Sequence, residues 1–347
     1  MRGMLLGALM AVGLAALGLP ALAYEWTPAT TVFEYREPPE TDADPGAAAS
    51  TIIGLPGIHV AEHKDTLLDI ARLYHLGYRE LKRANPGVDP WLPGEGTWVT
   101  VPSRWILPDA PREGLVLNIP EMRLYYYLPD SRVMTFPLGV GREGQNTPDG
   151  TYRVGQKRTN PTWYVPKSIQ AEMEVPRKVV PPGPDNPLGK YWMRLSHTTY
   201  GIHGTNNPWA IGRRVTHGCI RLYPEDIAYL YPRVPKGTPV RVLYQHAKVG
   251  VSEGKAYFQV FRYGVADDAR LMTDLMGQIA GLNLKADLRE VRRLLLDLPD
   301  GVMTPLPLRE DLTSDTEEVM SDTFRPERTS PPAPRSGETR QTAAAGP

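Results

Sequence analysis

The sequence predicts an α+β protein that is mainly β, with a small strand–helix–helix–strand unit in front of the β-rich region and a helical element behind it. Three observations carry this reading. Thirty-six prolines and 32 glycines among 347 residues favour many short strands joined by turns over a helical bundle. Residues 114–244 hold short strand-like runs such as "LVLNIPEMRLYYYLP" and "VMTFPLGVG". Residues 269–298 instead repeat apolar side chains at helical spacing. The length suits about two domains with a real core.

The first 23 residues read as a signal peptide. Arg2 supplies a short positive region, Met4 to Leu19 is uncharged and apolar, Pro20 ends the run, and Ala21-Leu22-Ala23 offers the small-x-small pattern of a cleavage site before Tyr24. At about 16 residues the run falls short of the roughly 20 that a spanning helix needs. No later segment is apolar enough to cross a membrane, so the mature chain is expected to be exported and soluble. Residues 24–54 read as a linker, because "REPPETDADPGAAAS" has no apolar periodicity; order is expected to resume at Gly57. With 39 basic and 39 acidic residues, the charge gives no support for nucleic-acid binding.

Residues 55–105 form the βααβ unit. A strand begins at Gly57 and another ends it at "TWVTVP". Between them a helix starts near Asp65 or Thr66, either a good N-cap, with Leu67, Ile70, Ala71 and Tyr74 at helical spacing. A second helix, Tyr78 to Ala84, stops at Asn85-Pro86-Gly87. Asp65-Thr66-Leu67, Ile70-Ala71, Asn85-Pro86 and Leu92-Pro93-Gly94…Pro102 resemble the landmarks of the LysM module, although Lys64 stands where that module usually has glycine. The resemblance implies contact with N-acetylglucosamine strands; the alternative is a packing unit without a ligand.

Residues 112–245 form the β-rich domain, mostly antiparallel, with one short helix at "YPEDIAYLYPRV" whose Ile227, Leu230 and Tyr231 share a side. In its second strand Leu124 and Tyr126 face one way, and Arg123, Tyr125 and Tyr127 the other. "TPVRVLY" closes the domain. Residues 246–300 are an accessory segment, partly helical through Leu271, Leu275, Ile279 and Leu282 and then Leu288, Val291 and Leu295. Residues 301–347, rich in Thr, Ser, Glu and Pro, are expected to be disordered.

The chemistry gathers in "IHGTNNPWAIGRRVTHGCIRL", residues 202–222, which holds the sole cysteine, Cys219. An exported chain with one cysteine has no intrachain disulfide to form. A thiol attacks as its thiolate and needs a base or a positive field nearby. His203 and His217 are the candidates: His217 lies two residues from Cys219 and shares its face in an extended segment, while His203 ends the preceding strand. No Asp or Glu lies between His203 and Cys219, so a backbone carbonyl is the expected orienter of the imidazole, with Gly204 free to adopt the necessary backbone geometry. Three other readings stand beside this one. Cys219 could be an inert buried residue, His203, His217 and Cys219 could ligate zinc without a fourth ligand, or Arg213, Arg214 and Arg221 could form only a solvated face.

His203 followed by Thr216-His217-Gly218-Cys219 resembles the signature of the L,D-transpeptidase (YkuD-like) family. "EMRLYYY", "TPDGTYRV" and "GPDNPLGKYWMRL" support it, and the leader and LysM-like unit point to the periplasmic ErfK/YbiS/YcfS/YnhG group. Arg221 stands where many members have asparagine. The resemblance implies a β-sandwich-like catalytic domain in the periplasm, acting on peptidoglycan tetrapeptide stems with no cofactor and no metal. Cys219 would be the nucleophile, His203 the base and Gly204 its support; Gly218, Thr216, His217 and Arg221 would bind substrate and oxyanion. The amine acceptor would be another stem or a lysine of an outer-membrane lipoprotein. A cysteine peptidase or L,D-carboxypeptidase of the same fold, and a wall-binding protein led by the LysM-like unit, are the alternatives. With His203 taking the thiol proton, thiolate is expected well below the ordinary thiol pKa of about 8.5.

Overall fold

The computed structural model describes residues 32–37, 49–263 and 268–309. The signal-peptide segment lies outside them, as does everything after Arg309. Among the described residues no helix is long and apolar enough to cross a membrane.

A nine-stranded sheet organises the chain. Its strands run in the order Val32–Glu34, Arg132–Pro137, Arg123–Leu128, Leu115–Asn118, Pro239–Leu243, Gly150–Thr159, Tyr191–Leu195, Gly201–His203 and Ile220–Arg221. Most neighbours are antiparallel, but Pro239–Leu243 runs parallel to Leu115–Asn118, and Ile220–Arg221 parallel to Gly201–His203. Side chains from most of its strands, among them Met134, Leu117, Val242, Met193, Ile202 and Ile220, meet in one core. The sheet therefore curls on itself. Helix Pro224–Leu230 closes this core with Ile227 and Leu230.

The expected alternation in Arg123–Leu128 sets up the second core. Leu124 and Tyr126 point into the first core, whereas Tyr125 and Tyr127 join Leu67, Ile70, Leu81 and Val99 on the opposite face. Those last four belong to the βααβ unit: strands Gly57–Val60 and Trp98–Val101, antiparallel, around helices Leu67–Leu73 and Tyr78–Ala84. Thr66 caps the first helix through a bond accepted from the Asp69 N–H. Sequence alone treats this unit as a separate module. The structure packs it on the outer face of the principal sheet, sharing one core with it.

Ionic contacts tie the same interface. Arg123, 1% exposed, donates from Nη2 to Glu80 Oε2 at 2.6 Å and stacks over Trp105. Arg72 grips Glu225 through both carboxylate oxygens, and His75 meets the buried Asp226. The Tyr223 hydroxyl donates to the Leu76 carbonyl. Glu225 and Asp226 open the helix that follows the Ile220–Arg221 strand, so the βααβ unit braces the site from behind.

Two expectations are corrected. Residues 24–54 are not all linker: Val32–Glu34 edges the principal sheet against Arg132–Met134, and Ile52–Gly54 pairs with Arg104–Ile106. Reading the Pro- and acid-rich centre as typical of the whole segment hid the flanking Val32, Phe33, Ile52 and Ile53. The tail expected to be disordered from residue 301 continues in order to Arg309, with Thr304–Pro305 joining a sheet and Leu306 buried. That sheet begins with the hairpin Ala247–Ser252 and Lys255–Val260, which the reading of residues 246–300 also missed. Helices Asp268–Gly281 and Leu288–Asp297 pack on it through the periodic residues read from sequence.

Glu80→Ala strips Arg123 of its carboxylate and the Trp105 indole of its acceptor. It should cost about 3–5 kcal/mol, because the guanidinium stays buried without its counter-charge. Urea unfolding monitored by tryptophan fluorescence measures it; a loss under about 1 kcal/mol would contradict the shared-core account.

Candidate active site

The final pairing of the sheet assembles the site. Gly201–His203 and Ile220–Arg221 run side by side with Ile202 opposite Ile220 and His203 opposite Arg221. Cys219 therefore arrives one residue before the parallel strand, beside the imidazole that ends its neighbour. His203, Cys219 and Arg221 line one cavity of about 580 Å³, together with Trp192, Tyr200, Thr216 and His217. One wall of that cavity is a flap, residues 160–190.

His203 is 2% exposed. Its Nδ1 lies 2.6 Å from the Gly204 carbonyl oxygen, which accepts a ring proton at that nitrogen and leaves Nε2 as the basic atom. Gly204 serves through close approach, not unusual torsion: an added Cβ would sit 3.1 Å from Ile227 Cγ2. Burial, aided by the Arg221 charge, pulls His203 down to about 3, against hydrogen bonds to the Gly204 and Leu188 backbone. The ring is neutral at working pH.

The Cys219 thiol moves the other way. Burial pushes it above the usual thiol value, with the Gly201 backbone and the Arg221 charge opposing. This direction runs opposite to the low thiolate pKa expected from sequence and favours an uncharged thiol in the same cavity as an uncharged imidazole. The sequence placed the right positive group nearby but could not register that the cysteine is half-buried in the cavity wall. Arg221 itself lines the cavity, and its Nε is buried without a partner.

The loop before the thiol is shaped by its own side chains. Thr216 is buried; its hydroxyl donates to the Cys219 carbonyl at 2.6 Å and accepts from the Gly218 N–H at 3.1 Å. Thr216 thus holds the turn while also lining the cavity, and the Gly218 N–H is engaged by its hydroxyl. Gly218 sits at φ +101°, and a Cβ there would come 2.4 Å from Tyr200 Cε1, so only glycine fits. Thr147 closes the back by donating to the Gly218 carbonyl. His217 does not face His203; its Nε2 lies 2.9 Å from Glu172 Oε2, on the flap. Sequence reasoning missed Glu172, Arg142, Tyr200 and Thr147, and Trp163-Tyr164 inside the Pro-rich stretch was the available sign of a folded flap.

A second cavity of about 380 Å³ lies among Glu80, Arg83, Trp105, Tyr257 and Asp300. It contains neither thiol nor imidazole. Its charges pair internally, Glu80 with Arg123 and Arg83 with Asp300.

A curled sheet that presents one thiol, one buried imidazole and the Arg221 guanidinium in a common cavity defines a cysteine-containing acyl-transfer class of site. Residues 112–242 match the family model for the L,D-transpeptidase catalytic domain, YkuD. The chain is 40% identical over 252 residues to "Probable L,D-transpeptidase YcfS" of Escherichia coli, covering 70% of this chain and 73% of that one. It is 42% identical over 194 residues to "Probable L,D-transpeptidase YbiS" of the same species, covering 54% of this chain and 63% of that relative, somewhat under two thirds of its length. Against "Putative L,D-transpeptidase YkuD" of Bacillus subtilis it is 32% identical over 181 residues, 51% of this chain and 93% of the relative. Among solved structures, the catalytic domain of the Enterococcus faecium L,D-transpeptidase is similar at 24% identity and a TM-score of 0.32, over 39% of this chain and 100% of that one. The chain belongs to the L,D-transpeptidase family.

Alkylation of the sole cysteine by iodoacetamide, followed against pH, should give a midpoint above the ordinary thiol value of about 8.5, because burial disfavours the charged form. A midpoint below about 8 would mean a preformed thiolate and contradict the neutral pair.

Proposed function

We propose that the protein cross-links peptidoglycan in the periplasm, after removal of its leader, through a thioester on Cys219. The observation that carries the reading is the common cavity of Cys219, the buried neutral His203 and the partnerless Arg221 Nε. The acyl donor is a tetrapeptide stem. As the sulfur attacks the carbonyl of the third residue, a diamino acid, its proton passes to His203 Nε2, so that charge separates only as the tetrahedral oxyanion forms beside the imidazolium. The C–N bond then breaks, and His203 returns the proton to the departing D-alanine amine. An incoming amine attacks the thioester carbonyl, loses its proton to His203 and frees the thiol.

Because the Gly218 N–H is engaged with Thr216, the Cys219 N–H is the backbone donor assigned to the oxyanion; such a donor typically contributes about 100-fold or more in rate. Arg221 and His217 are assigned to anionic groups of the stem, Arg221 as a planar fork. The acceptor is the amine of a second stem, or a lysine of an outer-membrane lipoprotein; with water in its place the same site acts as an L,D-carboxypeptidase. The βααβ unit is assigned to the glycan strand, and its exposed Trp91, Leu92 and Trp98 support that contact.

Cys219→Ala should lower D-alanine release from tetrapeptide muropeptides below a hundredth of wild type while leaving the unfolding transition in place. Mass spectrometry of the products measures this and separates cross-linked dimers from tripeptides made by hydrolysis. Release above that level would contradict the covalent route.

A further inference from the structure

The flap joins two neighbouring strands, Gly150–Thr159 and Tyr191–Leu195, and is pinned at its base where the Asn160 N–H donates to the Lys190 carbonyl. Its tip carries the two-stranded pair Trp163–Tyr164 and Val179–Val180 and the short helix Lys167–Gln170. Trp163, Tyr164, Ile169 and Met173 cover the cavity in which Cys219 sits. Among the described residues, the hydrogen bonds and ion pairs that run from the tip, residues 163–180, to anything outside the flap are those of Glu172. One of its carboxylate oxygens meets Arg142 Nη2 at 2.6 Å, and the other lies 2.9 Å from His217 Nε2. These two partners stand on the body. The Arg142 N–H donates to the Thr216 carbonyl, which fixes it beside the loop that delivers the thiol, and His217 is two residues from Cys219. A carboxylate from the flap is thus held by an arginine and a histidine beside the Cys219 cavity.

We propose that Arg142 and His217 form a carboxylate seat at the rim of the Cys219 cavity, that Glu172 fills it while the flap is down, and that the terminal carboxylate of the acyl donor enters by displacing Glu172. The inference rests on the transpeptidase reading for the identity of that ligand. The donor's carboxylate lies one residue beyond the attacked carbonyl, so its partners must stand at the rim and not against the sulfur, as these two do. The Glu172 contact is suited to exchange. Its carboxylate is 42% exposed and Arg142 43% exposed, and ion pairs so open to water hold weakly. The same contact explains how a flap with an exposed outer surface, Tyr164, Val175 and Val179, stays over the site without a large interface.

Two measurements on the full-length protein test this. The first needs no substrate: the rate of Cys219 alkylation by iodoacetamide. Glu172→Gln and Arg142→Gln should each raise it by about two- to five-fold, the weight of one surface ion pair, with its pH midpoint unmoved. Rates equal to wild type would overturn the latch. The second compares a tetrapeptide donor with its C-terminal amide. Arg142→Gln should raise KM several-fold for the free carboxylate and leave the amide unaffected; equal effects on both donors would overturn the seat. If wild type itself releases no D-alanine from either donor, the transpeptidase reading fails, and the alkylation rates still decide the latch.

Discussion

Two short parallel segments, Gly201–His203 and Ile220–Arg221, hold the chemistry together, because their register fixes which side chains meet. With side chains alternating across a strand, a slip of one residue would turn His203 or Arg221 to the opposite face. The register is set by burial: Ile202 and Ile220 lie opposite one another in the closed core, so sliding would expose both. Placing the imidazole and thiol at the end of this pair buries the imidazole and sets the half-buried thiol in the cavity wall. That enclosure raises the thiol and lowers the imidazole, leaving them neutral until a carbonyl arrives to accept the sulfur.

The rest of the molecule maintains that geometry. The curled sheet provides one apolar face for the site's own core and a second face for the βααβ unit, which reaches round to the helix following Arg221 through Arg72, His75 and Leu76. Buried ionic pairs of this sort add little net stability, but removing one partner is costly. They make the relative placement of the two units specific.

Much of this was legible in the sequence because local rules and global packing agree. Thr66, one of the two expected N-cap candidates, caps the first helix, the tyrosines of Arg123–Leu128 divide between two cores, and most of the helical residues from Leu271 to Leu295 are buried as their spacing predicts. The motif around Cys219 also told which residues converge. It could not tell how their atoms are engaged: the Thr216 hydroxyl turns inward to backbone, and His217 turns outward to a flap residue 45 positions away. Nor did composition reveal the strands bordering the acidic stretch or the flap itself, since Pro-rich segments acquire order here from the sheet they lie on. Burial of the sulfur is a tertiary property, and it reversed the direction expected for the thiol.

The central claim is that the resting site holds an uncharged imidazole with its proton on Nδ1. Nitrogen-15 NMR of the His203 ring in the free enzyme tests it directly. The account predicts the Nδ1–H neutral tautomer from alkaline pH down to about 4, consistent with a titration near 3. An imidazolium signal near pH 7 that disappears in Cys219→Ser would reveal a preformed thiolate–imidazolium pair and contradict it.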